Sequence, residues 1–174
     1  MMTGLLVAPA LLFAGLTDTT LLWVLVLATS LLVVAGWVHW RFWQSRLALV
    51  DHYDEVVDLR LGDGITVQLR RLQPAVPSAE PPVLLVHGIA IDHRNLDVLP
   101  TVSLPRHLRA AGRDVWLLTL RSGMGLPRKQ WPHIRFSRMV RHDLPEAIAE
   151  VLRRTGQSQL DYIGFSMGGM LAYA

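Results

Sequence analysis

Five residues near the end of the chain, Gly164-Phe165-Ser166-Met167-Gly168, restrict what it can fold into more than any other stretch. They follow a short apolar run containing Tyr162 and Ile163 and open onto a second apolar segment. G-x-S-x-G in that setting is the sequence form of a sharp strand-to-helix turn that presents a serine hydroxyl at the edge of a sheet. The serine of such a turn sits in a strained backbone conformation. A side chain at 164 or 168 would collide with the neighbouring strand and helix. Ser166 is therefore a candidate nucleophile, and the turn demands a strand before it and a helix after it.

The preceding residues supply a pattern of that kind. Residues 55–71 read as a hairpin about the Gly62-Asp63-Gly64 turn, with Ile65-Thr-Val-Gln-Leu-Arg-Arg alternating as a half-buried strand does. Four prolines between Gln73 and Pro82 mark a connecting loop. Val83-Leu-Leu-Val and Val115-Trp-Leu-Leu-Thr-Leu are wholly apolar, as strands buried on both faces of a parallel sheet are. A helix over 103–111 is expected to end at Gly112. Val140, Leu144, Ile148, Val151 and Leu152 recur at helical spacing, with Gly156 closing that helix. Pro145 interrupts the pattern: either the helix restarts there, with Asp143 and Glu146 as a capping box, or it is kinked. The alternation predicts an α/β domain, a mostly parallel sheet with helices on both faces.

A different solvent is written into the beginning. Before Arg41 the only charged side chain is Asp18, and residues 21–40 hold no acidic or basic side chain apart from His39 near their end. About 20 such residues span a bilayer core. Trp37, Trp40 and Trp43 lie three apart at the border, where indoles favour the headgroup level, and Arg41 and Arg46 follow. A cleaved signal peptide would want a basic leader, and residues 1–20 contain no Lys or Arg. The expected organisation is a membrane anchor over 1–45, with a transmembrane helix at about 21–40 and residues 4–16 as a possible hairpin partner. The domain over 46–174 follows, on the cytoplasmic side by the positive-inside rule.

Two constellations carry chemistry. A serine hydroxyl needs a base to remove its proton, so Ser166 implies a histidine, itself oriented by a carboxylate. The second constellation is His87-Gly88-Ile89, directly after the 83–86 strand. Acyl transfer wants two N–H donors for the developing oxyanion, each loss costing roughly 3 kcal/mol of barrier. Met167, following the serine, and Ile89 are the expected donors; Gly88 allows the loop to turn tightly and His87 holds it through a side-chain hydrogen bond.

These residues resemble those of the α/β-hydrolase superfamily from about residue 50 to the end, and within it acid-lipase-type and related bacterial esterases. The likeness rests on Pro82-Val-Leu-Leu-Val-His-Gly, on Gly112-Arg-Asp-Val-Trp-Leu-Leu-Thr-Leu-Arg-Ser-Gly, and on Phe136-Ser-Arg-Met-Val-Arg-His-Asp-Leu-Pro-Glu-Ala-Ile leading to the turn. Phe165-Ser166-Met167 departs from the His-Ser-Gln usual in those lipases. The resemblance implies a serine hydrolase acting on carboxylic esters, lipids among them, with Ser166, Ile89 and Met167 in the roles given above. Gly164, Gly168, His87 and Gly88 would support them. It also implies that an acid and then a histidine follow the serine. The chain is accordingly expected to be a fragment of a longer protein, inactive alone, with His142 and Asp143 in surface or capping roles. An acyltransferase would use the same residues, and a degenerate hydrolase fold used for binding is the alternative of another class.

Other chemistry is not indicated. There is no cysteine, the seven histidines show no ligand spacing with carboxylates, and neither a cofactor nor a metal is expected. The +3 net charge is small and no nucleic-acid motif accompanies it, so nucleic acid is not an expected partner. Residues 121–141 hold six basic side chains and no acid, with Trp131 and Phe136 among them. A solvated loop is the plain expectation there; a surface facing anionic headgroups is the sharper one.

Overall fold

The computed structural model describes residues 18–47, 52–76, 79–99 and 101–174. The chain divides into two compact units, Met1–Ala48 and Leu49–Ala174. In the first, helix α1 (Asp18–Leu47) runs for 30 residues. Its Thr19–Arg46 part has a mean hydropathy of 2.4 and no buried share. At 1.5 Å per residue that stretch is about 42 Å long, more than the ~30 Å of a bilayer core. Its two serine hydroxyls bond within the helix, Ser30 Oγ donating to Val26 O at 2.7 Å and Ser45 Oγ to Phe42 O at 2.8 Å. The helix extends past the expected 21–40, because the Trp-rich border stays helical: Trp43 packs edge-on against His39 and Phe42, and Arg46 lies over the Phe42 ring. The proposed hairpin partner, 4–16, lies outside the described residues.

The second unit is built on a mixed five-stranded sheet in the order β1-β2-β6-β3-β7. Strands β1 (Glu55–Arg60) and β2 (Thr66–Leu72) form the expected hairpin, in register from Glu55↔Arg71 to Arg60↔Thr66. Gly64 takes φ +83° in its turn. β3 (Val83–Val86) is followed by a short hairpin of β4 (Asp97–Leu99) and β5 (Val102–Ser103), then α2 (Leu104–Ala110), whose first turn is capped by Ser103 Oγ accepting the Arg106 N–H. β6 (Val115–Thr119) returns antiparallel to β2 and parallel to β3, and β7 (Asp161–Gly164) lies parallel to β3.

The apolar strands divide their side chains between two cores. Leu84, Val86, Trp116 and Leu118 face α3 (Leu144–Thr155), whose Leu144, Ala147 and Val151 join the same cluster. Val83, Leu85, Val115 and Leu117 face the other way, with Leu108 of α2 packed against them. Burial on both faces explains why neither strand alternates in sequence. Each such side chain contributes roughly 1.5–3 kcal/mol.

The capping box at Pro145 is overturned. Residues Met139–Asp143 form a π-helical turn, and the Leu144 N–H reaches back to Met139 O. Pro145 has no N–H, and its ring crowds the carbonyl four residues before it, so the wider turn carries the helix through. Asp143 keeps helical angles and caps nothing. Glu146 instead accepts the Gly62 N–H, at 2.9 and 3.1 Å, tying α3 to the β1–β2 turn.

Candidate functional site

Because β3, β6 and β7 are parallel, the segments leaving their C-terminal ends gather at one edge of the sheet. The last rung between β3 and β7 is Phe165 N–H to Val86 O at 2.9 Å. Ser166 follows with φ +51°, ψ −116°, a strained region for any residue but glycine, and α4 (Met167–Leu171) starts at once. The Ser166 side chain is exposed and makes no capping bond to that helix.

The glycines are required by contact. A Cβ on Gly168 would lie 2.4 Å from Val86 O and 2.8 Å from His87 O, so α4 is seated directly on the end of β3. A Cβ on Gly164 would lie 2.5 Å from the Gly168 backbone. Tyr162 closes the turn, its hydroxyl donating to Gly168 O at 2.5 Å; burial pushes that phenol up to about 12.

Opposite the serine stands the loop after β3. A Cβ on Gly88 would meet Ser166 Cβ at 3.1 Å and Phe165 Cδ1 at 3.2 Å, so a side chain here would have to push the turn back by a few tenths of an ångström. His87 has no exposed surface. Its Nε2 lies 3.0 Å from the Leu120 N–H and must accept from it, which leaves Nδ1 protonated and donating to Gly88 O at 2.7 Å. Burial lowers the pKa of this imidazole, in keeping with its neutral form. A trans peptide points its N–H opposite its C=O, so the bond that holds Gly88 O also sets the direction of the Ile89 N–H. Among the described residues, neither the Ile89 nor the Met167 N–H donates to any acceptor.

Beneath these loops lies a charge network that sequence reasoning missed. Arg121, directly after β6, is completely buried, not part of a solvated loop. Its Nε donates to Asp143 Oδ1 at 2.7 Å and its backbone N–H to Asp143 Oδ2 at 2.9 Å. Its Nη1 donates to Asp63 Oδ2 at 2.7 Å and to His133 O at 3.2 Å. Nη2 lies 2.6 Å from Asp143 Oδ1, an ion-pair contact without hydrogen-bond alignment. Burial opposes the guanidinium charge, but the bonds to Asp143 and Asp63 outweigh it and hold its pKa up. Burial likewise opposes the Asp63 carboxylate, and Arg121 still holds it below its ordinary value. The expectation of surface or capping duty for Asp143 is corrected, since it is fully buried; His142 is half-buried, with Nδ1 3.2 Å from Glu146 Oε1. The signal was present: Asp143 falls on the apolar stripe with Val140, Ala147 and Val151. Gly123, the last residue of the Arg-Ser-Gly stretch, packs the same segment onto the first loop, a Cβ there meeting Ile91 O at 2.8 Å and His87 Nε2 at 3.1 Å.

The expected residues thus meet: the turn carries Ser166, Gly164, Met167 and Gly168, and the facing loop carries His87, Gly88 and Ile89. Among the described residues no histidine hydrogen-bonds Ser166 Oγ: His87 is bonded as above, His93 Nδ1 pairs with Thr119 Oγ1 and His142 with Glu146. Among the described residues no group of three or more His, Cys, Asp or Glu could hold a metal ion. A cavity of about 280 Å³ lined by Arg71, Glu80, Asp114 and Arg154 belongs to the opposite edge, where the parallel strands begin.

Comparison with known proteins agrees with this arrangement. A sequence model described as the alpha/beta hydrolase fold matches residues 81–174, more than half of the chain. Human lipase member M is 29% identical over 133 residues, covering 68% of this chain and 31% of its own length. Human gastric triacylglycerol lipase is 26% identical over 179 residues, covering 87% of this chain and 45% of its own. The chain therefore spans less than half the length of these relatives. Among solved structures, an alpha-beta serine hydrolase homologue from Coxiella burnetii superposes with a TM-score of 0.54 at 17% identity, over 71% of this chain and 57% of that one. A strained turn seated on a central parallel strand, and a family match running from before that strand through the turn, lead to one conclusion: this chain belongs to the alpha/beta hydrolase fold family.

Proposed function

We propose that this chain is the nucleophile-bearing part of a membrane-anchored serine hydrolase that cleaves carboxylic esters. The observation that carries the reading is the pairing of an exposed, strained Ser166 with a loop whose Gly88 would bring a Cβ within 3.1 Å of it. Ser166 Oγ attacks the acyl carbon while its proton passes to a base, and the carbonyl oxygen becomes an oxyanion. The Ile89 and Met167 N–H groups receive it in this reading, which their lack of an acceptor among the described residues supports. Collapse expels the alcohol, which takes the proton from the base. Water then attacks the acyl-enzyme, returning Ser166 and releasing the acid.

The base is a histidine other than those whose partners are given above, supplied with its carboxylate by a segment beyond these 174 residues. Relatives more than twice as long as the matched region are consistent with that. The relatives' names, lipases acting on triacylglycerol among them, favour an ester or lipid substrate. Membrane anchoring is supported by the 28-residue apolar span of α1, and the Arg41 and Arg46 flank favours a domain on the cytoplasmic side.

The test is a fluorophosphonate probe applied to the full-length protein in membranes. Labelling that disappears in Ser166→Ala is expected. Labelling that survives in that variant, or no labelling of the unaltered protein, overturns the reading. Extraction with alkaline carbonate tests the anchor separately, and release of the protein would refute it.

A further inference from the structure

The segment leaving β6 has a composition that the chemistry above does not use. Residues 122–142 contain Arg128, Lys129, Arg135, Arg138 and Arg141 and no carboxylate before Asp143, which is buried against Arg121. Arg138 shares Asp63 with Arg121, at 3.4 Å. The other four are exposed, and none makes an ion pair with a described carboxylate. Between them two large apolar side chains face solvent, Trp131 at 55% and Phe136 at 38% exposure.

The local geometry suits one environment. Trp131 lies in a 3₁₀ segment, Arg128–His133, and its indole N–H already donates to Leu126 O at 2.9 Å. Its remaining surface is therefore apolar, with no polar demand of its own. The Arg128 guanidinium lies over the ring, 5.7 Å from its centroid. An indole with its N–H satisfied, stacked beneath a cation and flanked by further cations, matches a lipid headgroup layer: the ring enters the interface while the guanidinium groups meet phosphates.

We infer that the 127–136 segment, with Arg141, docks on the surface of an anionic bilayer. Charge complementarity selects negative headgroups, and the exposed Trp131 and Phe136 favour a lipid interface over a purely polar polyanion. The same polypeptide carries a helix of bilayer-spanning length, which raises the effective concentration of this loop at a membrane. The consequence is geometric. This segment leaves the same edge of the sheet as Ser166, so docking turns that edge towards lipid. The inference rests on the composition and exposure of the loop, and it stands whether or not Ser166 reacts.

The absence of cysteine permits a direct test. Ser137→Cys, at an exposed position beside Phe136, is labelled with an environment-sensitive fluorophore in the full chain, which is placed in nanodiscs. The discs hold either phosphatidylcholine alone or phosphatidylcholine with phosphatidylglycerol, and a headgroup nitroxide lipid serves as quencher. Quenching is expected in the anionic discs and should be weak in the neutral ones. It should be lost at about 0.5 M NaCl, where screening extends only a few Å. Arg128→Gln/Lys129→Gln/Arg135→Gln should lower the docked-to-free ratio tenfold or more, since each cation near such a surface is worth about 1 kcal/mol. No quenching in anionic discs overturns the inference. So does equal quenching in neutral discs, or a fluorescence change that appears with polyglutamate or RNA and not with anionic discs. Fluorophosphonate labelling reads a different property, so failure of one test leaves the other standing.

Discussion

Arg121 and Asp143, 22 residues apart, form an ion pair with no exposed surface, joined by Nε–Oδ1 at 2.7 Å and by the Arg121 N–H to Oδ2 at 2.9 Å. The pair joins the end of β6 to the π-turn before α3, and Asp63 brings in the β1–β2 turn. Truncating Asp143 leaves the buried guanidinium with Asp63 as its one remaining carboxylate and the Arg121 N–H without its acceptor. Asp143→Ala should cost about 3–5 kcal/mol, measured by urea unfolding of the full chain in detergent. The double variant Arg121→Met/Asp143→Leu should recover much of that loss; a loss below about 1 kcal/mol for Asp143→Ala would contradict the burial of the pair.

The glycines predict a graded series. Gly168→Ala sets a Cβ against the Val86 carbonyl at 2.4 Å, and backbone cannot swing aside as a side chain can. A loss of about 3 kcal/mol or more is expected, or failure to fold. Gly88→Ala meets Ser166 Cβ and Phe165 Cδ1 at 3.1 and 3.2 Å, which yield by tenths of an ångström. Its stability cost should be near 1 kcal/mol, while fluorophosphonate labelling slows roughly tenfold or more, because the facing loop shifts against the serine. Equal stability losses for the two variants would contradict the geometry.

Ser166→Gly should separate stability from reactivity. At φ +51° the serine is strained and glycine is not, so the variant should be more stable by about 1 kcal/mol even after the extra entropy of its unfolded chain. Fluorophosphonate labelling should vanish. A destabilised Ser166→Gly protein in thermal unfolding would show that the turn stores no strain.

His87 makes the fold sensitive to acid. Burial lowers its pKa, so below the ordinary imidazole value of about 6.5 the unfolded chain takes up a proton that the folded chain refuses. The associated stability is complete above about pH 6.5. It is lost as pH falls through that value towards the folded pKa, with a slope of at most about 1.4 kcal/mol per pH unit. Unfolding free energies measured across this range should fall less steeply for His87→Gln than for the parent. Parallel curves would mean that His87 is not held neutral.

Much of this was legible in one dimension. The Gly164-Phe165-Ser166-Met167-Gly168 turn, the 83–86 strand, the 55–71 hairpin and the apolar helix each follow from a local rule: backbone freedom at glycine, strand-length apolar runs, turn residues, or a run long enough for a bilayer. A local rule needs only neighbours in sequence, so it survives without knowledge of the rest of the chain. It also explains why His87 and Gly88 could be placed beside a strand end that faces the serine.

What tertiary structure alone decided is where the charges of Arg121 and Asp143 go. In sequence, Arg121 opens a basic stretch that suggests solvent, while Asp143, two residues before a proline, lies on a stripe with Val140, Ala147 and Val151 that marks it for burial without naming its partner. The π-turn forced at Pro145 and the packing of α3 on β6 bring the two together inside, where burial still pushes the Asp143 carboxyl up and Arg121 offsets only part of that cost. That energy depends on an approach across 22 residues, and no periodicity in the chain encodes such a distance. Composition named the turn, the strands and the apolar helix; the sheet order, which sets β3 between β6 and β7, decided that Gly88 would stand against Ser166.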